Sequence, residues 1–270
     1  MNKLANEILE PILFEAFHNQ EGDTHNTELL TIHPRITAIL YRRAYRDVTI
    51  NSLKQLELFS QNVPTELLSK VRSLNINLSP TAGSVWGAVG DALVKCRNVE
   101  HLKIRAMGLW EEDRRGLVEG LAAIDPISFE WTSPDPPHHI SLSLVTPCLT
   151  ILLHQLPKWS RLEQLSLSHV QFPQCSQPDR FLPVILSPTL KSIRLGQAIK
   201  APANMLAGIA SACPRLETFD TEDIYSESIW GSRVDEKDVR NELEEAYYYG
   251  AFTISSRLQR IVGGDRGVVY

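Results

Sequence analysis

A short pattern returns along this chain, an apolar residue followed by two others and then by apolar-x-apolar, and that recurrence is what most constrains the fold. Val99-Glu100-His101-Leu102-Lys103-Ile104 carries it, residues 71–76, 162–167, 190–195 and 216–221 repeat it, and weaker copies lie at 127–131 and 258–262. The alternating apolar positions in each copy predict a short, half-buried strand. Between the middle apolar residues, Val48 to Leu74 is 26, Leu74 to Leu102 is 28, Leu102 to Phe129 is 27, Leu165 to Ile193 is 28 and Ile193 to Phe219 is 26. Helical patterns fill the intervals, at 84–95, 114–123, 149–158, 181–186, 204–212 and 238–252. Ser52 is placed to cap a further helix carrying Leu53, Leu56 and Phe59. A unit of one strand and one helix cannot bury its own apolar face, so successive units have to stack. The expected fold is α/β: a solenoid with a curved parallel sheet and helices on its convex side, starting at residue 48.

With 270 residues, 43% hydrophobic and 22% charged, the chain has the composition of an ordinary globular protein. A net charge of -5 argues against a general nucleic-acid binder, which needs an excess of Lys and Arg to neutralise phosphates. Arg42, Arg43 and Arg46 read as the solvated face of a helix. No apolar run reaches the roughly 18 residues of a membrane span, and the first residues form no secretory core. The expectation is an intracellular protein, cytoplasmic or nuclear, with no membrane partner. Cys96, Cys148, Cys175 and Cys213 form no CxxC pair, so neither a zinc site nor a redox motif is indicated, and no metal or cofactor is expected. Cys96 and Cys213 each stand three residues before the first apolar residue of a copy, where a helix hands over to a strand and a small buried residue fits.

Near the N-terminus, Leu4, Ile8, Leu9, Ile12, Leu13 and Phe17 fall on one helical face, although Pro11 has to start or kink that helix. A second helical spacing runs through Ile32, Ile36, Ile39, Leu40 and Ala44, interrupted by Pro34. Leu4-Ala5-Asn6-Glu7-Ile8-Leu9, that second segment and residues 40–50 together resemble a degenerate F-box joined to its first repeat, with Ala5 where the family's opening Leu-Pro-x-Glu-Ile-Leu has proline. The downstream copies, with their period, resemble leucine-rich repeats, including a subtype with cysteine at the position of Cys96 and Cys213. The resemblance implies an F-box-like helical unit over 1–47 and a short leucine-rich-repeat solenoid of about seven or eight strand-helix units over 48–270. The tail from 263 to 270 either folds back over the open end or marks a shortened form.

What the resemblance implies for function is a protein-interaction module, the substrate receptor of a cullin-based (SCF-type) ubiquitin ligase. Its N-terminal helices would hold a Skp-type adaptor through Leu4, Ile8, Leu9, Ile12 and Leu13, and its repeats would hold a target protein, the chain being a monomer outside that complex. The alternative is a leucine-rich-repeat scaffold with a helical N-terminal cap and no ligase, the same apolar face then packing on Ile36, Ile39 and Leu40. An enzyme is not expected, because no nucleophile elbow, phosphate loop, HExxH or dinucleotide fingerprint occurs.

The target-binding surface is suggested by irregular spacing. Phe129 to Leu165 is 36 and Phe219 to Ile261 is 42, and the excess follows the strand. Segments 132–139, 169–178 and 222–234 should emerge on one edge of the solenoid, where binding loops collect. They and the strand ends beside them carry Trp131, His138, His139, Phe172, Tyr225 and Trp230, which either anchor a partner or fold down over the sheet edge. The outward strand positions Lys103, Arg105 and Arg194, with Asp220 and Glu222 further along, predict a surface that changes from basic to acidic toward the C-terminus and a partner of opposite polarity.

Overall fold

The computed structural model describes residues 36, 39, 41, 44–78, 85–107, 113–133, 144–173, 188–228, 230–248 and 260–264, the last five as backbone. Within them the chain is an α/β protein. Eight strands run β1 (Asp47–Ile50), β2 (Ser73–Asn77), β3 (His101–Arg105), β4 (Ser128–Thr132), β5 (Gln164–Gln171), β6 (Ser192–Ile199), β7 (Thr218–Glu222) and β8 (Arg260–Gly264). They form one sheet in chain order, with every neighbouring pair parallel. The register is the one the repeats predict: Val48, Leu74, Leu102, Phe129, Leu165, Ile193, Phe219 and Ile261 pair in a continuous row.

Between the strands lie α1 (Leu53–Asn62), α2 (Thr65–Leu68), α3 (Trp86–Lys95), α4 (Arg115–Ala122), α5 (Thr146–Gln155), α6 (Ala203–Ser211) and α7 (Glu236–Tyr248). Ser52 caps α1 as expected, its hydroxyl accepting the Gln55 N–H at 3.2 Å. The helix expected at 181–186 lies outside the described residues. α5 begins three residues earlier than its apolar spacing predicts, because Pro147 supplies the fixed backbone angle that a first helical turn prefers.

On β1 to β7 one side chain in two points into a single core. Leu74 and Ile76, Leu102 and Ile104, Phe129 and Trp131, Leu165 and Leu167, and Ile193 and Leu195 are buried there with Leu56, Val89, Leu93, Leu117, Leu121, Leu149, Leu152 and Leu206 of the helices. On β1 to β7 the alternate residues face the other way and, apart from the buried Gly196 and the segment from His169 on, are half-buried or exposed. Four aromatic rings form a chain through this core: Trp86 to Trp131 at 5.1 Å, Trp131 to Phe129 at 6.4 Å and Phe129 to Trp159 at 5.2 Å. Two of the three indoles donate their N–H to backbone, Trp131 to the Ala106 carbonyl and Trp159 to the Leu121 carbonyl, each at 3.1 Å.

Repetition extends to the backbone. Ahead of each strand from β1 to β6 one carbonyl accepts two successive amides of the next unit: Arg46 from Arg72 and Ser73, Arg72 from Glu100 and His101, Glu100 from Ile127 and Ser128. Ile127, Glu163 and Lys191 do the same toward β5, β6 and β7. Cys96 and Cys213 are both fully buried at helix ends, each accepting through its carbonyl the amide three residues on, Val99 and Leu216. The shared position read from sequence is therefore a shared geometry.

Helices α3 and α4 meet at backbone level. A Cβ placed on Gly90 would lie 2.2 Å from the Gly116 carbonyl oxygen, one on Gly116 2.3 Å from the Trp86 carbonyl oxygen, and one on Gly120 2.8 Å from the Gly90 Cα. Three glycines are what allow that approach.

Candidate functional site

The face of the sheet turned away from the helices is polar. Successive outward positions across β2 to β7 read Asn75, Lys103, Glu130, Ser166, Arg194 and Asp220 in one row, and Asn77, Arg105, Thr132, Ser168, Gly196 and Glu222 in the next. The stretch from β3 to β7 forms a groove of about 340 Å³. Its floor is low because β5 and β6 bring the small residues Ser166, Ser168 and Gly196 to it, and a Cβ on Gly196 would touch Ser168 at 3.4 Å. Charged side chains rise on both sides. Lys103 meets Glu130 at 2.8 Å, and Arg105 donates from Nε to the Ser133 carbonyl at 3.1 Å. Arg194 lies between Glu222 at 3.1 Å and Asp220 at 3.6 Å.

At the carboxyl end of the groove three consecutive strands turn at the same register. His169, Gln197 and Asp223 all have left-handed backbone angles, with φ of 58°, 49° and 54°. The conformation is uncommon for residues with a side chain, though His, Asn and Asp adopt it more readily than most. Its effect is visible in the burial pattern: inward residues on β5 are Leu165 and Leu167, then Val170 and Phe172, and on β6 Ile193 and Leu195, then Ala198. One left-handed residue per strand shifts the alternation by one and lets β5 and β6 continue to Gln171 and Ile199. His169 is buried beside Ser168, whose hydroxyl lies 3.1 Å from Nδ1.

Beyond Asp223 the chain forms a braced hairpin. Val234 donates to the Ile224 carbonyl, Ser226 to that of Ser232, and Tyr225 and Arg233 face each other across it. Arg233 grips Asp223 at 2.6 Å and lies 5.7 Å over the Tyr225 ring. The tip presents Trp230 at 89% exposure.

This geometry sorts the residues expected to bind a target. Lys103, Arg105, Arg194 and Glu222 line the groove together, and Asp220 faces Arg194 at its edge. Trp230 stands in solvent at the hairpin tip, and Tyr225 is half-buried in the hairpin base. Trp131 and Phe172 do not belong to the surface, being 0% and 3% exposed. Trp131 occupies an inward position of β4, level with Ile104 and Leu167, and Phe172 comes inward because of the left-handed turn at His169. The separation of charge is also weaker than expected, since cations pair with carboxylates on adjacent strands. His138 and His139 lie outside the described residues, as do the adaptor positions Leu4, Ile8, Leu9, Ile12 and Leu13. Sequence reasoning missed Glu130, Ser166, Ser168 and Gly196. All four hold the same repeat position as Lys103 or the one two residues on, so copying the register from β3 would have found them. Gln197 and His169 left no such signal, because they break the alternation.

Burial pushes the Cys96 and Cys213 thiols up to about 12, with Lys95 acting weakly in the opposite sense on Cys96. Among the described residues, no group of three or more His, Cys, Asp and Glu is arranged to hold a metal ion, and no helix is long and apolar enough to cross a membrane. Comparison with protein-family models and with curated proteins gives no match for the chain.

Proposed function

We propose that the chain is a protein-interaction module, a short leucine-rich-repeat solenoid whose open polar sheet face captures a target protein. The observation that carries this reading is the combination of strict repetition and a polar outward face. Eight parallel strands keep one register; those from β2 to β7 bury apolar side chains against the helices, and those from β3 to β7 turn polar side chains to the groove. Stacked strand-helix units give extended binding surfaces of this kind, because side chains from many units point the same way at fixed spacing. The test is affinity capture with the wild-type chain and with Ser166→Arg, which puts a long side chain on the groove floor without touching the core. Partners retained by the first and lost by the second, with both proteins melting alike, support the reading; identical partner sets sink it.

Within that reading the chain is the substrate receptor of an SCF-type ubiquitin ligase, with residues 1–47 forming an F-box-like unit that binds a Skp-type adaptor through Leu4, Ile8, Leu9, Ile12 and Leu13. This part rests on the N-terminal sequence resemblance. Co-expression with the adaptor, followed by Ile8→Asp with Ile12→Asp, checks it: a complex that the double variant abolishes supports the receptor role. No complex with a folded wild-type chain favours the scaffold without a ligase.

A further inference from the structure

A second surface is the rim made by the loops that lead into the strands, and its charge has the opposite sign to the chain's. The loops entering β2, β3, β4 and β5, residues 69–72, 96–100, 123–127 and 156–162, hold five cations, Lys70, Arg72, Arg97, Lys158 and Arg161, against two carboxylates, Glu100 and Asp125, in a chain of net charge -5. Neither carboxylate closes on a cation as a hydrogen-bonded pair. Asp125 uses both oxygens on the neighbouring turn, accepting the Ser160 hydroxyl at 2.7 Å and the Arg161 amide at 3.1 Å. Glu100 is shared: Arg72 Nε lies 3.8 Å and Arg161 Nη2 3.7 Å from the same Oε1, both beyond hydrogen-bond reach. Lys70 and Arg97 form no ion pair among the described residues, Lys158 donates to Gln155 Oε1 at 3.2 Å, and all three are exposed. Glu163, next along the rim, is taken by Lys191 at 2.9 Å. The cluster is braced by Asn98, whose Nδ2 donates to the Ser69 carbonyl at 2.9 Å and whose own carbonyl accepts from Arg72 Nη1 at 2.8 Å.

We infer that this rim docks an acidic segment of a partner protein, laid along the loops from β2 to β5 with its carboxylates over Lys70, Arg72, Arg97 and Arg161. The surface is separate from the groove, and the inference goes beyond the reading given above. The anion that Arg72 and Arg161 already approach is a carboxylate, and a guanidinium fork matches a carboxylate through paired N–H donors. Three strand spacings of about 4.8 Å separate β2 from β5, roughly 14 Å, and an extended segment rising about 3.3 Å per residue covers that distance in about five residues. Alternate side chains of such a segment point the same way, so about three carboxylates can reach the cations. The aromatic residue of these loops, Trp159, is 1% exposed, so they offer no ring on which a nucleic-acid base could stack. Glu100 stands where a carboxylate of the segment would sit and competes with it.

Fluorescence anisotropy with the full chain and a labelled peptide carrying three glutamates at alternate positions tests this, with the glutamine counterpart and a single-stranded oligonucleotide of similar length as further arms. The expected result is binding of the glutamate peptide that the glutamine peptide lacks, weakening as salt brings the screening length below about 10 Å. Lys70→Glu with Arg97→Glu should weaken it by about tenfold or more, whereas Lys54→Glu with Lys237→Glu, the same change of net charge at exposed helix positions, should leave it within about twofold. Glu100→Gln removes the resident carboxylate and should tighten binding severalfold, a gain that loss of folding cannot mimic. Ser166→Arg in the groove should change nothing. Equal losses in the two double variants would reduce the effect to net charge and overturn the inference. No binding of the glutamate peptide would overturn it too, as would an oligonucleotide that displaces the peptide from the rim. A peptide lost with Ser166→Arg would belong to the groove and overturn the rim site while leaving the interaction module standing.

Discussion

The backbone contact between α3 and α4 makes a strong prediction about Gly90. Replacing it by Ala places a methyl carbon 2.2 Å from the Gly116 carbonyl oxygen, 2.6 Å from the Gly116 carbonyl carbon and 2.7 Å from its Cα. All three are backbone atoms, so no rotamer change relieves the overlap, and the two helices have to separate by about an ångström or distort. Overpacking a filled interior costs about 1–3 kcal/mol, and a clash with backbone belongs at the upper end. Against this, Ala in a helix interior gains about 1 kcal/mol over Gly. The net expectation is a loss of about 2 kcal/mol, a fall in Tm of roughly 4–8 °C for a chain of this size. Gly87, three residues earlier in the same helix, is the internal control: it is exposed and a Cβ there meets nothing within 4 Å, so Gly87→Ala should be neutral or slightly stabilising. Urea unfolding followed by far-ultraviolet circular dichroism compares the two. Because Gly90 and Gly116 share one contact, the double replacement should lose less than the two single losses together. Gly90→Ala at or above wild-type stability, with Gly87→Ala unchanged, would refute the close approach of the helices.

Three further outcomes follow from burial and hydrogen bonding. Trp131→Phe should cost about 2 kcal/mol in the same unfolding assay, since it deprives the Ala106 carbonyl of its donor and leaves a small void between Trp86 and Phe129. Trp230→Ala should leave stability within about 0.5 kcal/mol while weakening capture of any partner that reaches the hairpin. Cys96 and Cys213 should resist iodoacetamide in the native protein and react on unfolding. Their folded thiols keep a proton up to about 12 against a reference of 9.0, so the unfolded chain ionises first and stability, full below pH 9, falls as pH rises from 9 toward 12.

Much of the fold was legible because the repeats state it twice, once in the spacing of Leu74, Leu102, Phe129, Ile193 and Phe219 and again in the inward alternation around each. Parallel pairing fixes which residues lie side by side once the spacing is known, so the charged residues of the groove could be named from β3, β6 and β7. Trp131 was misread because its chemistry suits an interface, whereas its phase in β4 puts it in the core. Phase is the stronger signal: one residue of displacement moves a side chain to the opposite face of a sheet. Phe172 shows where that signal stops. The alternation of Leu165 and Leu167 extrapolates Phe172 away from the core, and only the left-handed turn at His169 returns it. Backbone angles of that kind leave no mark in hydrophobic pattern when the residue is His or Gln instead of Gly. The contact of Gly90, Gly116 and Gly120 was hidden for a similar reason, since helical periodicity gives the face a residue occupies and not how near the next helix comes.

That contact reaches beyond the pair of helices it joins. Parallel strands stand about 4.8 Å apart and packed helices ordinarily 8–10 Å, so a layer of helices over a layer of strands is wider than its partner, and the sheet has to bow to fit. Where α3 and α4 touch backbone to backbone the spacing of the two layers comes closer to matching, which asks less bow of β2 to β4. A methyl added among Gly90, Gly116 and Gly120 would push these helices apart on the covered side, and should increase the bow demanded of those strands without altering a residue on their outward face.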